Sequence, residues 1–399
     1  MEAHGERTKV AMKLTMDFIE RTGVLTGQAQ ARYLWTDAFA VHNLIALASA
    51  TGKPELLRVA RVLVDRVHHT LGRHRPDDHA RSGWISGASE AEGEAHPTRG
   101  GLRIGKRLPE RPPGAPPDEE GEWDQDGQYF HYLVRWMNAL DQLARATGEA
   151  RLSLWARELA SAAFAGFALP GPASPSRLAW KMSIDLSRPL VSSMGQHDAL
   201  DGLITLALLR RTATELGVSA QGPELGREEQ ALARIAEQVT WTTTDPLGLG
   251  GLLADAAWTA QVSALGAFDG ALLPRLIAAT LPGLRGVSST LGGEARRRLA
   301  FRELGLAIGL EAPPVIAASL EAHPERFREL EQTSRLLKRV EEHHSLGPTI
   351  RGFWLEPRNQ LSPTWREHLD INTVMLATSL VPDGYLVLRR PPLRPGSPP

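Results

Sequence analysis

Ala50-Thr51-Gly52-Lys53 returns 96 positions later as Ala146-Thr147-Gly148-Glu149, and Ala60-Arg61 with Leu63 returns at the same offset as Ala156-Arg157 with Leu159. Each tetrapeptide separates two apolar-periodic stretches. Ahead of Gly52, the residues Phe39, Val41, Leu44, Ile45, Leu47 and Ala48 recur at three- and four-residue intervals, the period of a helix with one buried face. Gly52 stops that helix, and Pro54 opens the next at a first-turn position. The repeating object is a helical hairpin, which cannot bury its apolar face alone and needs neighbours of its own kind.

A second copy spans 129–167, and a weaker third pairs 201–216 with 227–239. Further candidates are 251–265 with 272–279, 294–310 with 315–322, and 327–344. Residues 370–380 read as a last inner helix, which an extra helix at 8–22 can partner. The expectation is an all-α chain with one domain over 1–388 and a disordered Pro-rich tail over 389–399. The connections run from a few residues to about fifty, which favours a closed ring with pocket-forming loops over a strict-period solenoid. The longest, 73–122, is rich in proline and glycine and has almost no aliphatic period. Because matching hairpins flank it, it reads as an excursion from one domain. Gly83-Trp84-Ile85-Ser86 and Gly101-Leu102-Arg103-Ile104-Gly105 within it are candidates for a small hairpin.

Composition narrows the chemistry. The chain has no cysteine, so disulfides, thiolate nucleophiles, Cys-ligated zinc and iron–sulfur clusters are excluded. A net charge of −1 provides no field to attract nucleic acid or an anionic membrane. No uninterrupted apolar run approaches the ~18 to 20 residues of a membrane span. The polar start, Met1 to Arg7, lacks a signal-peptide pattern, and the expectation is a cytoplasmic protein. HExxH, GxxxxGK[ST] and GxSxG are missing, and His343-His344 has no carboxylate at ligand spacing, so neither metal nor cofactor is expected.

Aromatic and acidic residues cluster just ahead of the inner helices: Tyr33-Leu34-Trp35-Thr36-Asp37, Trp123-Asp124-Gln125-Asp126-Gly127-Gln128-Tyr129 and Gln196-His197-Asp198-Ala199-Leu200-Asp201-Gly202. With the hairpins over most of 8–385, these clusters make the chain resemble the six-hairpin glycosidase-type (α/α)6 toroids. That superfamily includes glycoside hydrolases, polysaccharide-lyase domains and N-acylglucosamine 2-epimerase-like proteins. The resemblance implies an (α/α)6 toroid with a long Pro/Gly-rich insertion and a funnel at the N-terminal ends of its inner helices. Free N–H groups and the helix dipole favour ligand binding there.

The candidate residues follow from carbohydrate chemistry, which needs aromatic faces for sugar rings and carboxyl groups for acid and base work. Asp124 and Asp126 are candidates for general acid or base, while His197 and Asp198 would position water or substrate. Trp35, Trp123 and Tyr129 would stack on sugar rings, and Asp37, Asp201, Arg358, Trp365 and His368 would complete the binding surface. A plainer account stands beside each: Asp126 and Asp198 as helix caps, the tryptophans as core, Arg358 on a solvated loop. The expected function is hydrolysis of a glycosidic bond, with a saccharide or other small polar ligand as partner. An epimerase or isomerase using His197 and His368 as opposed bases is the enzymatic alternative. A non-catalytic toroid that binds a ligand or a protein is the other.

Overall fold

A computed structural model of the chain describes residues 2–26, 31–116, 118, 120–171, 175–266, 268, 270–287 and 291–391. The fold is all-α, 63% helix and 4% strand. In chain order the helices begin with α1 (Glu2–Arg21), α2 (Leu34–Thr51), α3 (Glu55–Leu71), α4 (Glu90–Ala95), α5 (Phe130–Thr147) and α6 (Ala150–Phe167). Next come α7 (Asp198–Glu215), α8 (Gly226–Ala236), α9 (Pro246–Ala264), α10 (Leu272–Val287), α11 (Ala300–Gly309) and α12 (Ala312–Ala322). The last are α13 (Leu330–Glu341), α14 (Leu346–Leu355), α15 (Pro357–Gln360), α16 (Pro363–Glu367), α17 (Leu369–Leu380) and α18 (Asp383–Leu386). Short strands β1 (Gln128–Tyr129), β2 (Ala168–Leu169), β3 (Arg177–Leu178), β4 (Lys181–Met182) and β5 (Pro189–Val191) form two small antiparallel sheets, ordered β1-β4-β5 and β2-β3.

The Ala-Thr-Gly repeat has a physical meaning. Thr51 and Thr147 each donate their hydroxyl to the carbonyl four residues back, Leu47 O at 2.6 Å and Leu143 O at 2.8 Å. Gly52 and Gly148 then take left-handed backbone, φ 67° and 74°, where a side chain would be strained. The helices of the second hairpin, α5 and α6, pack together. Arg61 on α3 pairs with Glu149 at the head of α6, so the first two hairpins touch at the repeat itself.

Several helices extend beyond the periodic stretches. α9 begins at Pro246 because the Asp245 side chain accepts the Gly248 N–H at 2.9 Å. α10 continues through Pro282 to Val287. α14, α15 and α16 show no common period in sequence, because α15 and α16 are single turns that open at Pro357 and Pro363. The segments around Trp84 and Ile104 do not form a hairpin with each other: Trp84 bridges Arg73, and the Ile104 carbonyl accepts from Leu34 N–H at 3.1 Å.

The chain packs as two compact units whose boundaries fall within the stretch expected as one domain. The first comprises Met1–Arg21, His42–Leu56 and Thr240–Leu388. Here α9 is the hub for α10, α11 and α12, while α11 reaches α14 and α17, and α1 lies on α17. One stretch, Ala300–Ala322, is long and apolar enough to cross a membrane by length and composition, and 72% of its apolar window is buried among its neighbours. The second unit comprises Thr22–Val41, Leu57–Val239 and Arg389–Pro399, with α5 packed against α6 and α7, and α7 against α8. All of 73–122 belongs to it. Of the tail expected over 389–399, residues 392–399 lie outside the described residues.

Candidate active site

The first turns of α2, α5 and α7 carry the candidate residues, and the second unit contains all three turns. Trp35 sits in the first turn of α2, His131 and Tyr132 in that of α5, Asp198 and Asp201 in that of α7. Tyr33 and Tyr129 immediately precede α2 and α5. The β1–β4 pairing, Tyr129 opposite Lys181, brings Trp180 to the same place.

These rings form one cluster. Trp35 lies 5.2 Å from Tyr132 and 6.2 Å from His131. Tyr129 stacks on His131 at 5.3 Å and tilts onto Trp180 at 4.8 Å. Trp180 in turn lies nearly parallel to His131. Trp123, 56% exposed, meets Trp180 edge-on at 4.9 Å and forms the rim. The Tyr33 and Tyr132 hydroxyls are 2.5 Å apart. Lys106 Nζ stands 5.5 Å from the centre of the Tyr33 ring.

Ordinary core packing accounts for rings in contact but not for the polar atoms among them. Trp35 Nε1, Tyr129 Oη, His131 Nδ1 and Asp198 Oδ2 are buried and find no hydrogen-bond partner among the described residues. Buried polar groups are nearly always satisfied, and each that is not costs about 1–3 kcal/mol. Three of the four sit on rings of the cluster, and the fourth heads α7, one helical turn before Asp201.

The electrostatics point the same way. Burial, reinforced by the neighbouring Asp201 carboxylate, pushes the Asp198 carboxyl up to about 7, against the opposing pull of a backbone hydrogen bond at Gly195 and of Arg135. A Cβ on Gly195 would fall 2.4 Å from Asp198 Oδ1, so the carboxyl keeps this position only beside a glycine. Arg135 Nη2 donates to Asp201 Oδ2 at 2.9 Å, holding the second carboxylate as an ion pair. Burial takes His131 down to about 4, opposed by Asp201, so the imidazole is neutral near pH 7. Burial also raises the phenols of Tyr33, Tyr129 and Tyr132, keeping them as donors. At neutral pH the site therefore offers one carboxyl poised between its acid and base forms, surrounded by neutral hydrogen-bonding groups.

Trp35, Trp123 and Tyr129 are thus brought together, while Asp201 acts on His131 and Asp198 on Asp201 through space. Other candidates are committed elsewhere. Asp126, wholly buried, accepts from Arg103 Nη1 at 2.5 Å and Arg75 Nη1 at 3.2 Å. It also accepts from the backbone N–H groups of Gly105, Lys106 and Gly127. Both its oxygens serve to fold the 73–122 excursion, and neither caps α5, which starts at Phe130. Asp37 is clamped by Arg32, which also donates to Thr22 O at 2.9 Å. Asp124 is exposed beside Trp123, where its charge is felt by Lys106. His197 is half-buried at the N-cap position of α7, its carbonyl accepting from Asp201 N–H at 2.8 Å.

Arg358, Trp365 and His368 belong to the first unit. Trp365 is buried and stacks on Trp354, whose Nε1 donates to Glu303 at 2.8 Å, while Glu303 is gripped by Arg298 through two bonds. That makes Trp365 a core residue. Arg358 is exposed, and His368 sits edge-on to Phe301 at the surface.

Tyr132, Trp180, Lys106 and Arg135 were not singled out from sequence. Only Tyr132 and Arg135 carried a signal, one and four residues beyond His131 at the start of a strongly periodic helix. Among the described residues no three His, Asp or Glu side chains converge as a metal-ligand set. Comparison with protein-family models, curated proteins and solved structures yields no match. The geometry of the site alone carries its functional reading.

Proposed function

We propose that the aromatic site of the second unit binds a saccharide, and that Asp198 supplies the proton in cleavage of a glycosidic bond, within a chain whose hairpins close as an (α/α)6 toroid. The observation that carries this reading is the Asp198 carboxyl, raised by burial to about 7 and with one oxygen unpartnered among the described residues, next to Asp201, whose charge acts on His131 in the ring cluster. Indole and phenol faces suit the C–H face of a sugar, and Trp35 Nε1 and Tyr129 Oη are donors for its hydroxyls. A carboxyl that is half protonated at working pH can donate to the departing glycosidic oxygen. Asp201, one helical turn on from Asp198 and ion-paired with Arg135, would stabilise the oxocarbenium-like charge that develops.

The test combines reducing-end release from an oligosaccharide panel with calorimetric binding, on the wild type and on Asp198→Asn. The variant is expected to bind its glycan with little change in affinity and to lose about 100- to 10,000-fold in kcat. Absence of binding to every glycan, or unchanged turnover in Asp198→Asn, rejects the reading. Binding without turnover in the wild type leaves a saccharide-binding protein and removes the catalytic step.

A further inference from the structure

Lys106 enters the site from the excursion with its backbone fixed and its charge uncommitted. Its N–H is held by Asp126 Oδ1 at 3.3 Å, and its carbonyl accepts from Arg75 Nη1 at 2.8 Å. The half-buried side chain extends over Tyr33, and its ammonium makes no hydrogen bond or ion pair with any described residue. The neighbouring cations are all engaged: Arg75 and Arg103 on Asp126, Lys181 and Arg111 on Glu122, Arg135 on Asp201. Asp124 and Asp126 act on Lys106 only through space, while burial draws its ammonium below the usual lysine range. A partly buried cation without a counter-ion is costly to maintain, and an anion on the ligand removes that cost.

We infer that Lys106 makes this site select an acidic sugar, a uronic acid whose carboxylate takes the ammonium as its counter-ion; this rests on the saccharide reading of the same site. The donor set fits one carboxylate. In the Tyr33–Tyr132 hydroxyl pair one phenol donates to the other, which leaves the acceptor's own O–H to reach the ligand. A phosphate draws on arginine forks or several converging N–H groups, whereas this edge offers a single ammonium and phenols. The carboxylate meets the ammonium at the Tyr33 edge while the ring lies along the aromatic wall toward Asp198.

Calorimetry on the full chain tests this with matched methyl glycosides of gluco, galacto and manno configuration, each as hexoside and hexuronide, with glucose 6-phosphate as a further arm. In at least one pair the hexuronide is expected to bind about tenfold tighter, a gap of about 1.4 kcal/mol that narrows as salt rises. Lys106→Met closes the gap by weakening hexuronide binding, and Lys106→Arg keeps part of it. If hexosides bind as well as hexuronides in every pair, if Lys106→Met keeps the gap, or if glucose 6-phosphate binds more tightly than any hexuronide, the inference is overturned while the saccharide reading stands. If no sugar of either kind binds, both are overturned together. The comparison within the wild type and its salt dependence decide the matter even where a Lys106 variant does not fold.

Discussion

Asp198 and Asp126 are buried carboxyls of the same unit with opposite consequences for stability. Asp198 titrates near 3.8 in an unfolded chain and near 7 when folded. Between those values the folded protein holds the proton that the unfolded chain has released. Stability from this residue therefore falls as pH rises through that window and stays low above it. The full difference is on the order of 4 kcal/mol. Asp198→Asn should consequently be more resistant to urea than the wild type at pH about 8 and nearly equal to it at pH about 4. Asp126→Ala should lose about 3–5 kcal/mol at neutral pH, because the buried Arg103 is left without its carboxylate. A common loss of stability in both variants would contradict the division of labour drawn between them. His131 and His68, lowered by burial to about 4 and about 3, act in the reverse sense: their contribution is lost as pH falls below 6.5 toward those values.

Among elements, α9 and α11 of the first unit approach one another backbone to backbone. A Cβ on Gly250 would lie 2.0 Å from Gly305 O, and one on Gly309 would lie 2.5 Å from Gly250 O. The obstacle is backbone, so no rotamer change relieves it. Gly250→Ala should force the helices apart and cost about 3 kcal/mol, read as a fall in denaturant midpoint with an unchanged m-value. Helical hairpins were legible in the sequence because what ends a helix is local: Thr51 and Thr147 bonding backward, Gly52 and Gly148 turning left-handed. The order of 73–122 was not legible, since it comes from Asp126 gathering donors from Arg75, Arg103 and the backbone N–H groups of Gly105 and Lys106 across the segment. For the same reason Trp180 and Lys106 escaped notice. Trp180 is placed by strands too short to show a period, and Lys106 by a turn that only Asp126 defines. Trp35, Tyr129, Asp198 and Asp201 stood out as candidates because each sits at a junction between loop and periodic helix.

At the scale of the molecule, the two units interleave along the chain, and one boundary, between Val41 and His42, runs through α2 itself. Neither unit corresponds to a continuous half of the sequence. The first needs α1 as well as α9 to α18: α1 lies on α17, burying Ala11, Phe18 and Ile19, and Arg21 pairs with Asp370 at 2.7 Å. Deleting residues 2–21 should therefore lower stability by about 5 kcal/mol, at about 1.5–3 kcal/mol for each large side chain uncovered. Chemical denaturation of the shortened chain measures this, and an unchanged midpoint would show that α1 is dispensable.

The rim residue Trp123 also has an optical consequence. Its indole is the one in the ring cluster that water reaches freely, and it touches Trp180, which continues the contact inward to Tyr129 and His131. A soluble quencher can collide with that indole, whereas the indole of Trp35, also in the cluster, is sheltered. A ligand seated against the proposed site would shield Trp123 and alter its emission, which would make that indole an intrinsic fluorescent reporter of occupancy.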